Sequence, residues 1–398
     1  MNTGLGLMRE ALAAVLSFLM ILCLILITPF CKDAVATLVR PVPKSVQRFL
    51  RDSESGWTLF SLFWGVCGGI GLCIKDRSTF GLHFRAGQTV HEYSDTSRDV
   101  LDFYHARNDR LFNAMGQPPV LVWIHGGAWA HGHRAQFRVM AMRLARVGFS
   151  VAVVGYTEVQ YPRGGAADQS VQVGAALDWT VPHAKSLGGD PDRVFALAHS
   201  SGAHLLMLWL LHFAGQRKKP AAGPLAGCMF VAGVYDLEAH YQHETLREVG
   251  DFSTLNPACG GTAASRAALS PDGFLTRLLA RSTFCECRAC PFSGGPSPEQ
   301  LRAQLECLPR QMCLVHGKND RVVPPTQSIG LFDRLQHCLK QNKTEIICEL
   351  HTVENCNHIS ELIRMMLGDK ESVVTPLLEK MAAQPLVRRR SERLAKVQ

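Results

Sequence analysis

No stretch in the middle of this sequence interleaves basic residues with aromatics, so a nucleic-acid-binding surface leaves no footprint there. Charged residues are sparse, at 19%, and apolar residues make up 47%. That balance excludes a disordered chain and suffices for a sizeable core. There is no internal repeat. The net charge of +8 is spread along the chain, apart from a cluster at each end. The 14 cysteines are scattered and do not form the disulfide framework of a small secreted domain. This favours a reducing compartment.

Two stretches near the N-terminus lack charge altogether, residues 11–31 and 56–74. Each is long enough to cross a bilayer core of about 30 Å at 1.5 Å per residue. The first is almost wholly aliphatic, and it ends in Thr28-Pro29-Phe30-Cys31, without the small-x-small site of a cleaved signal peptide. The second carries Gly65, Gly68, Gly69 and Gly71, which lipid tolerates better than water does. A membrane anchor over residues 1–78 is therefore expected, with one or two spans. Lys32, Arg40, Lys44, Arg48 and Arg51 follow the first stretch, and only Arg9 precedes it. One span would place the remainder of the chain in the cytosol; two spans would place it on the opposite side.

Beyond the anchor, short apolar runs alternate with helical periodicity. Runs at 119–125 (PVLVWIH), 150–156, 194–198, 228–231, 311–316 and 346–353 read as strands. Helices are expected at 134–147, at 166–186 with a break at Pro182, at about 201–214, and near His358. Continuously apolar strands alternating with helices predict an α/β fold, a mostly parallel sheet covered on both faces. The catalytic domain is expected over 79–385. The alternation lapses at about 235–309, which reads as an insertion or cap with a partly disordered portion near 293–298. Residues 386–398 form a basic tail.

Four motifs carry chemistry. In Ala198-His199-Ser200-Ser201-Gly202 a strand runs into a serine and a helix runs out. A nucleophile on so sharp a turn needs small residues two positions away on either side, which selects Ser200 over Ser201. In His125-Gly126-Gly127-Ala128-Trp129, consecutive glycines let the N–H groups of Gly126, Gly127 and Ala128 converge. With the N–H of Ser201 they are candidates for an oxyanion hole. Asp320, in the turn after the strand at 311–316, is the candidate acid that orients an imidazole. His358, after the last strand, is the candidate general base. His351 is its nearest rival but falls inside a strand. Among Cys285, Cys287 and Cys290, with Cys259 or Cys307 as further ligands, only Cys287 and Cys290 have zinc spacing and no second pair follows. No metal is expected.

The segments HGGAW, GGDPDRVFALAHSSGAH, VHGKNDRVVP and NCNHIS resemble those of α/β-hydrolases of the carboxylesterase type. Over residues 93–367 the chain is most similar to the isoprenylcysteine methylesterases, including the plant enzymes. Kynurenine formamidases share very similar motifs. The chain departs from the pattern at Ala198, where glycine is usual, at Ser201, where alanine is commoner, and in the cysteine-rich insertion. The resemblance implies an α/β-hydrolase fold, a Ser200, Asp320 and His358 triad, no cofactor, and a small-molecule or prenylated-peptide ester as substrate. It also implies a membrane location, in the endoplasmic reticulum or Golgi; a single span and the scattered cysteines favour a catalytic domain facing the cytosol. The rival expectations are an arylformamidase, a general lipid esterase, or a catalytically inactive membrane-bound binding module.

Overall fold

The computed structural model describes residues 88–94, 99–107, 116–159, 164–213, 225–250, 253–282, 305 and 308–384. The two apolar stretches at 11–31 and 56–74, the cysteines at 285, 287, 290 and 307, the segment 293–298 and the basic tail lie outside these residues. Among the described residues no helix is long and apolar enough to cross a membrane.

Eight strands form one sheet in the order β1-β2-β4-β3-β5-β6-β7-β8. They are β1 (Gln88–Glu92), β2 (Val100–Tyr104), β3 (Pro119–Ile124), β4 (Ser150–Val154), β5 (Asp190–His199), β6 (Gly227–Val231), β7 (Gln311–Gly317) and β8 (Ile347–Val353). From β4 onward every pairing is parallel, whereas β1 with β2 and β2 with β4 are antiparallel. Strands β3, β4 and β6 are buried at every residue, as parallel strands with both faces covered must be.

Helices cover both faces. On one side pack α2 (Ala166–His183), α3 (Ser201–Leu208) and α8 (Thr326–Gln341), through Val173, Leu177, Leu205, Leu331 and Leu335. On the other pack α1 (Arg138–Val147), α9 (Ser360–Leu367) and α10 (Val374–Ala383), through Met140, Leu144, Leu362, Met365 and Leu378. Between β6 and β7 come α4 (Leu237–Leu246), α5 (Leu255–Cys259), α6 (Ala263–Leu269) and α7 (Pro271–Ser282).

The structure corrects two expectations and adds elements the sequence did not show. Helix α2 runs through Pro182 and ends one residue later. A proline in the last turn forfeits only one helical hydrogen bond, so it does not break the helix. Strand β5 starts four residues earlier than its apolar run, because Asp190 already pairs with Pro119. The antiparallel strands β1 and β2 were not individually legible: β1 (QTVHE) is short, polar and half-exposed. The lapse in alternation at 235–309 is helical over much of its described length. Helix α4 is capped by the Asp236 side chain, which accepts from Ala239 N, and α6 by a reciprocal Thr262–Ser265 box.

Candidate active site

The C-terminal ends of β3, β5, β7 and β8 carry the four motifs. Strand β5 ends at His199, and Ser200 turns the chain directly into α3 with φ 53° and ψ −125°. This is a left-handed conformation that a residue with a Cβ adopts only under strain. The backbone is crowded as the small-residue requirement implies. A Cβ on Gly202 would lie 2.3 Å from the carbonyl oxygen of His125, and one on Gly126 would lie 2.8 Å from the Cβ of Ser200. Ser201 is the first residue of α3, so its side chain belongs to a helix and not to the turn.

His358 comes from the loop after β8. Its Nε2 lies 2.9 Å from Ser200 Oγ, and its Nδ1 lies 2.8 Å from Asp320 Oδ2. A carboxylate can only accept, so Nδ1 carries the proton and Nε2 is left to accept the serine hydroxyl. Ser200 and His358 are each less than a tenth exposed and Asp320 less still. The Asp320 carboxylate is held on its other oxygen, where Oδ1 accepts from Val322 N at 3.0 Å and Val323 N at 2.9 Å. Burial alone would push this carboxyl up, but His358 and His316 beside it hold it well below the usual carboxylate range. The loops bearing Asp320 and His358 are tied to each other through Lys318 N to Val353 O at 2.8 Å and Asn319 N to Cys356 O at 3.1 Å. His351 stays within β8, with Nε2 3.2 Å from Glu349, and does not reach the site.

The loop after β3 holds three consecutive positive-φ residues, Gly127, Ala128 and Trp129. It closes on itself through Ala130 N and His131 N, both donating to Gly127 O. Gly126 abuts Ser200, as its missing Cβ shows, while Ser201 presents its N–H at the start of α3, where the helix dipole favours negative charge. The loop is fixed from outside by groups that local sequence signals did not single out. The buried Gln169 amide nitrogen lies within 3.0 Å of the carbonyls of Trp129, Thr157 and Gly164. The Trp129 indole donates to His204 Nδ1 at 3.1 Å, and His204 Nε2 in turn donates to Leu269 O at 2.9 Å. The Thr254 hydroxyl, at the start of α5, donates to Ala128 O. The helices between β6 and β7 therefore contact the candidate oxyanion loop directly.

Two further histidines approach the centre. His316, in β7, has Nε2 2.9 Å from Val323 O and 3.2 Å from Asp320 Oδ2. His199 Nε2 lies 2.9 Å from His358 O. Both could have been noticed as the histidines flanking the two motifs, but nothing in one sequence says which way a flanking side chain points. As for metals, Cys313, Glu349 and His351 bring ligand atoms within 4.8 Å of one another on β7 and β8. Burial and Glu349 push the Cys313 thiol up to about 12, so it is protonated, and the trio makes no contact with Ser200.

A buried serine, imidazole and carboxylate in line, beside a glycine turn that abuts the serine, form an arrangement suited to acyl transfer. Against known proteins, the BD-FAE family matches residues 101–219. A rice (Oryza sativa subsp. japonica) protein named "Probable isoprenylcysteine alpha-carbonyl methylesterase" is 28% identical over 252 residues, 61% of this chain and 52% of that protein. A Mycobacterium tuberculosis "Probable carboxylic ester hydrolase" is 26% identical over 236 residues, 57% of this chain and 47% of that protein. The kynurenine formamidase of Danio rerio is 25% identical over 191 residues, 47% of this chain and 57% of that protein. The chain spans about half the length of the curated relatives it matches. The sheet order and the strand–turn–helix at Ser200 are those of an α/β-hydrolase fold, and in sequence the chain resembles α/β-hydrolases of the carboxylesterase type, the isoprenylcysteine methylesterases among them.

Proposed function

We propose that this protein is a serine hydrolase acting on carboxylic esters, and that its substrate is the methyl ester of a prenylated C-terminal cysteine. The observation that carries the ester-hydrolase reading is the continuous relay Ser200 Oγ, His358 Nε2, His358 Nδ1, Asp320 Oδ2, with steps of 2.9 and 2.8 Å. Ser200 attacks the ester carbonyl while His358 takes its proton. Asp320 stabilises the charged imidazole, and the N–H groups of Gly126, Gly127, Ala128 and Ser201 receive the oxyanion. The alcohol leaves with the proton from His358. Water, deprotonated by His358, then attacks the acyl-serine and releases the acid and free Ser200. Every bond made or broken is served by these residues.

The prenylcysteine ester is supported by the resemblance of the motifs and by the names of the plant relatives. The uncharged stretch at 11–31 supports membrane attachment, which brings the site to a substrate whose prenyl chain partitions into lipid. We place the protein on that basis at the endoplasmic reticulum or Golgi, with the hydrolase facing the cytosol. A panel of purified full-length protein against prenylcysteine methyl esters, soluble acyl esters and formylkynurenine tests the reading, with Ser200→Ala as control. Fastest turnover of the prenylcysteine ester is expected. Preference for formylkynurenine would transfer the assignment to an arylformamidase, a reading in line with the Danio rerio relative named kynurenine formamidase.

A further inference from the structure

The three loops that carry the relay leave strands that are not all neighbours. Strands β6 and β7 stand between β5, which delivers Ser200, and β8, which delivers His358. His358 must therefore reach back across two strands, and its bond to Ser200 is only as good as the placement of its main chain. Asp320 holds the far end of the ring. The main chain itself needs a separate anchor.

His199, the last residue of β5, sits where such an anchor is required. Its Nε2 lies 2.9 Å from the carbonyl oxygen of His358, and the two rings are 4.9 Å apart between centroids. A carbonyl only accepts, so Nε2 bears the proton. The His358 carbonyl precedes the ladder of α9, whose entering carbonyl is that of Ile359, accepting from Ile363 N at 3.0 Å. The other edge of the His199 ring faces the oxyanion loop: a Cβ on Gly126 would lie 2.9 Å from its Nδ1. One buried side chain thus touches the main chain of the base and the glycine turn, and is peptide-bonded to the nucleophile.

We propose that His199 is a positioning residue: by donating to the His358 carbonyl it fixes the backbone that carries the general base, so that His358 Nε2 stays on Ser200 Oγ. The proposal rests on reading Ser200, His358 and Asp320 as the relay, and goes beyond it by giving a task to a residue that does not meet the reacting atoms. The chemistry explains why a histidine suits the position. The donor must be buried beside an imidazole that becomes positive during turnover, so a lysine or arginine would repel the very charge that Asp320 stabilises. The titratable groups facing His199 are His358, Asp320 and His316. Burial and the neighbouring His358 push His199 down to about 3, which keeps it an uncharged donor.

The test uses the full chain and three variants. His199→Leu and His199→Met remove the donor while filling the space, and His199→Gln keeps an N–H at a similar reach. Turnover of p-nitrophenyl acetate gives kcat and KM, the rate of fluorophosphonate labelling reports the activated serine, and thermal unfolding reports the fold. Loss of the donor is expected to lower kcat and the labelling rate by about 100-fold, the scale of an ångström-sized misplacement, with KM nearly unchanged. His199→Gln is expected to recover at least about tenfold of that loss. If His199→Leu does not fold, His199→Met supplies the same comparison. A kcat within about threefold of the parent in a donor-less variant overturns the proposal, and so does equal impairment of the Gln and donor-less variants. Ser200→Ala runs alongside: labelling retained there removes the relay itself, whereas labelling lost there with His199→Leu fully active removes only the role of His199.

Discussion

At the scale of single residues, the site separates groups that react from groups that hold. In the proposed mechanism Ser200 supplies its hydroxyl and Ser201 its N–H. Ser200→Ala is expected to abolish ester hydrolysis and fluorophosphonate labelling, while Ser201→Ala, which keeps its N–H, retains most of both. Labelling that persists in Ser200→Ala would move the nucleophile elsewhere. Asp320 is ionised and bonded to His358 Nδ1. An amide in its place cannot stabilise the imidazolium, and the equivalent change in a serine protease costs about 10⁴ in rate. Asp320→Asn is accordingly expected to lower kcat by several orders of magnitude in a protein whose melting transition survives. Near-parental kcat in this variant would assign the role to another carboxylate.

At the scale of elements, the loop after β3 is a strained turn held by distant parts of the chain. Gln169 of α2 reaches three of the surrounding carbonyls, and Thr254 at the start of α5 reaches Ala128. Gln169→Leu keeps the volume but leaves buried carbonyls without their donor, at a cost of about 1–3 kcal/mol. The expected result is a lower unfolding midpoint in urea with an unchanged slope, together with a kcat loss larger than any change in KM. A variant as stable and as active as the parent would show that the loop holds its own shape. The strands β3 to β7 were legible because each contains a short apolar run, and β8 because Ile347, Leu350 and Val353 still mark it. Strand β1 was not, because an antiparallel edge strand half open to water has no need of such a run. Pro182 misled for the complementary reason: proline breaks a helix in its middle, and here it stands in the final turn.

For the whole molecule, burial of histidines sets a pH limit. His125 and His204 are pushed down to about 4 by burial, and His199 to about 3 by burial and His358, from an ordinary value of 6.5. The folded state thus binds these protons less readily than the unfolded chain. Between pH 6.5 and about 4 the unfolded chain is protonated at these positions and the folded one is not. The stability these groups contribute is full above pH 6.5 and falls as the pH drops, by about 1.4 kcal/mol per pH unit for each histidine. Asp320, lowered in the fold, extends the loss at still lower pH. Thermal unfolding from pH 7.5 to 4.5 is expected to show a steep decline through that window, and an unchanged midpoint would show that the burial is relieved by local opening. A chain beginning at Thr79 provides the other test at this scale. It is expected to leave the membrane fraction, keep turnover of a soluble ester, and lose turnover of a lipid-bearing ester in vesicles. Equal activity on both substrates would reject the anchor as a source of proximity.

The sequence by itself determined the fold class and the four motifs, since both rest on local requirements: apolar runs for buried strands, small residues around a sharp turn, and glycines where the backbone must converge. It also selected Ser200 over Ser201, because the crowding that decides between them is local. Only the tertiary structure decided which side chains hold those motifs in place. Gln169, His204, Thr254, His199 and His316 act across separations in sequence of up to 159 residues, through hydrogen bonds whose partners are mostly backbone carbonyls. A carbonyl is present at every position, so no residue pattern announces which one a buried side chain will meet; that is set when the sheet brings the ends of β3, β5, β7 and β8 to one edge.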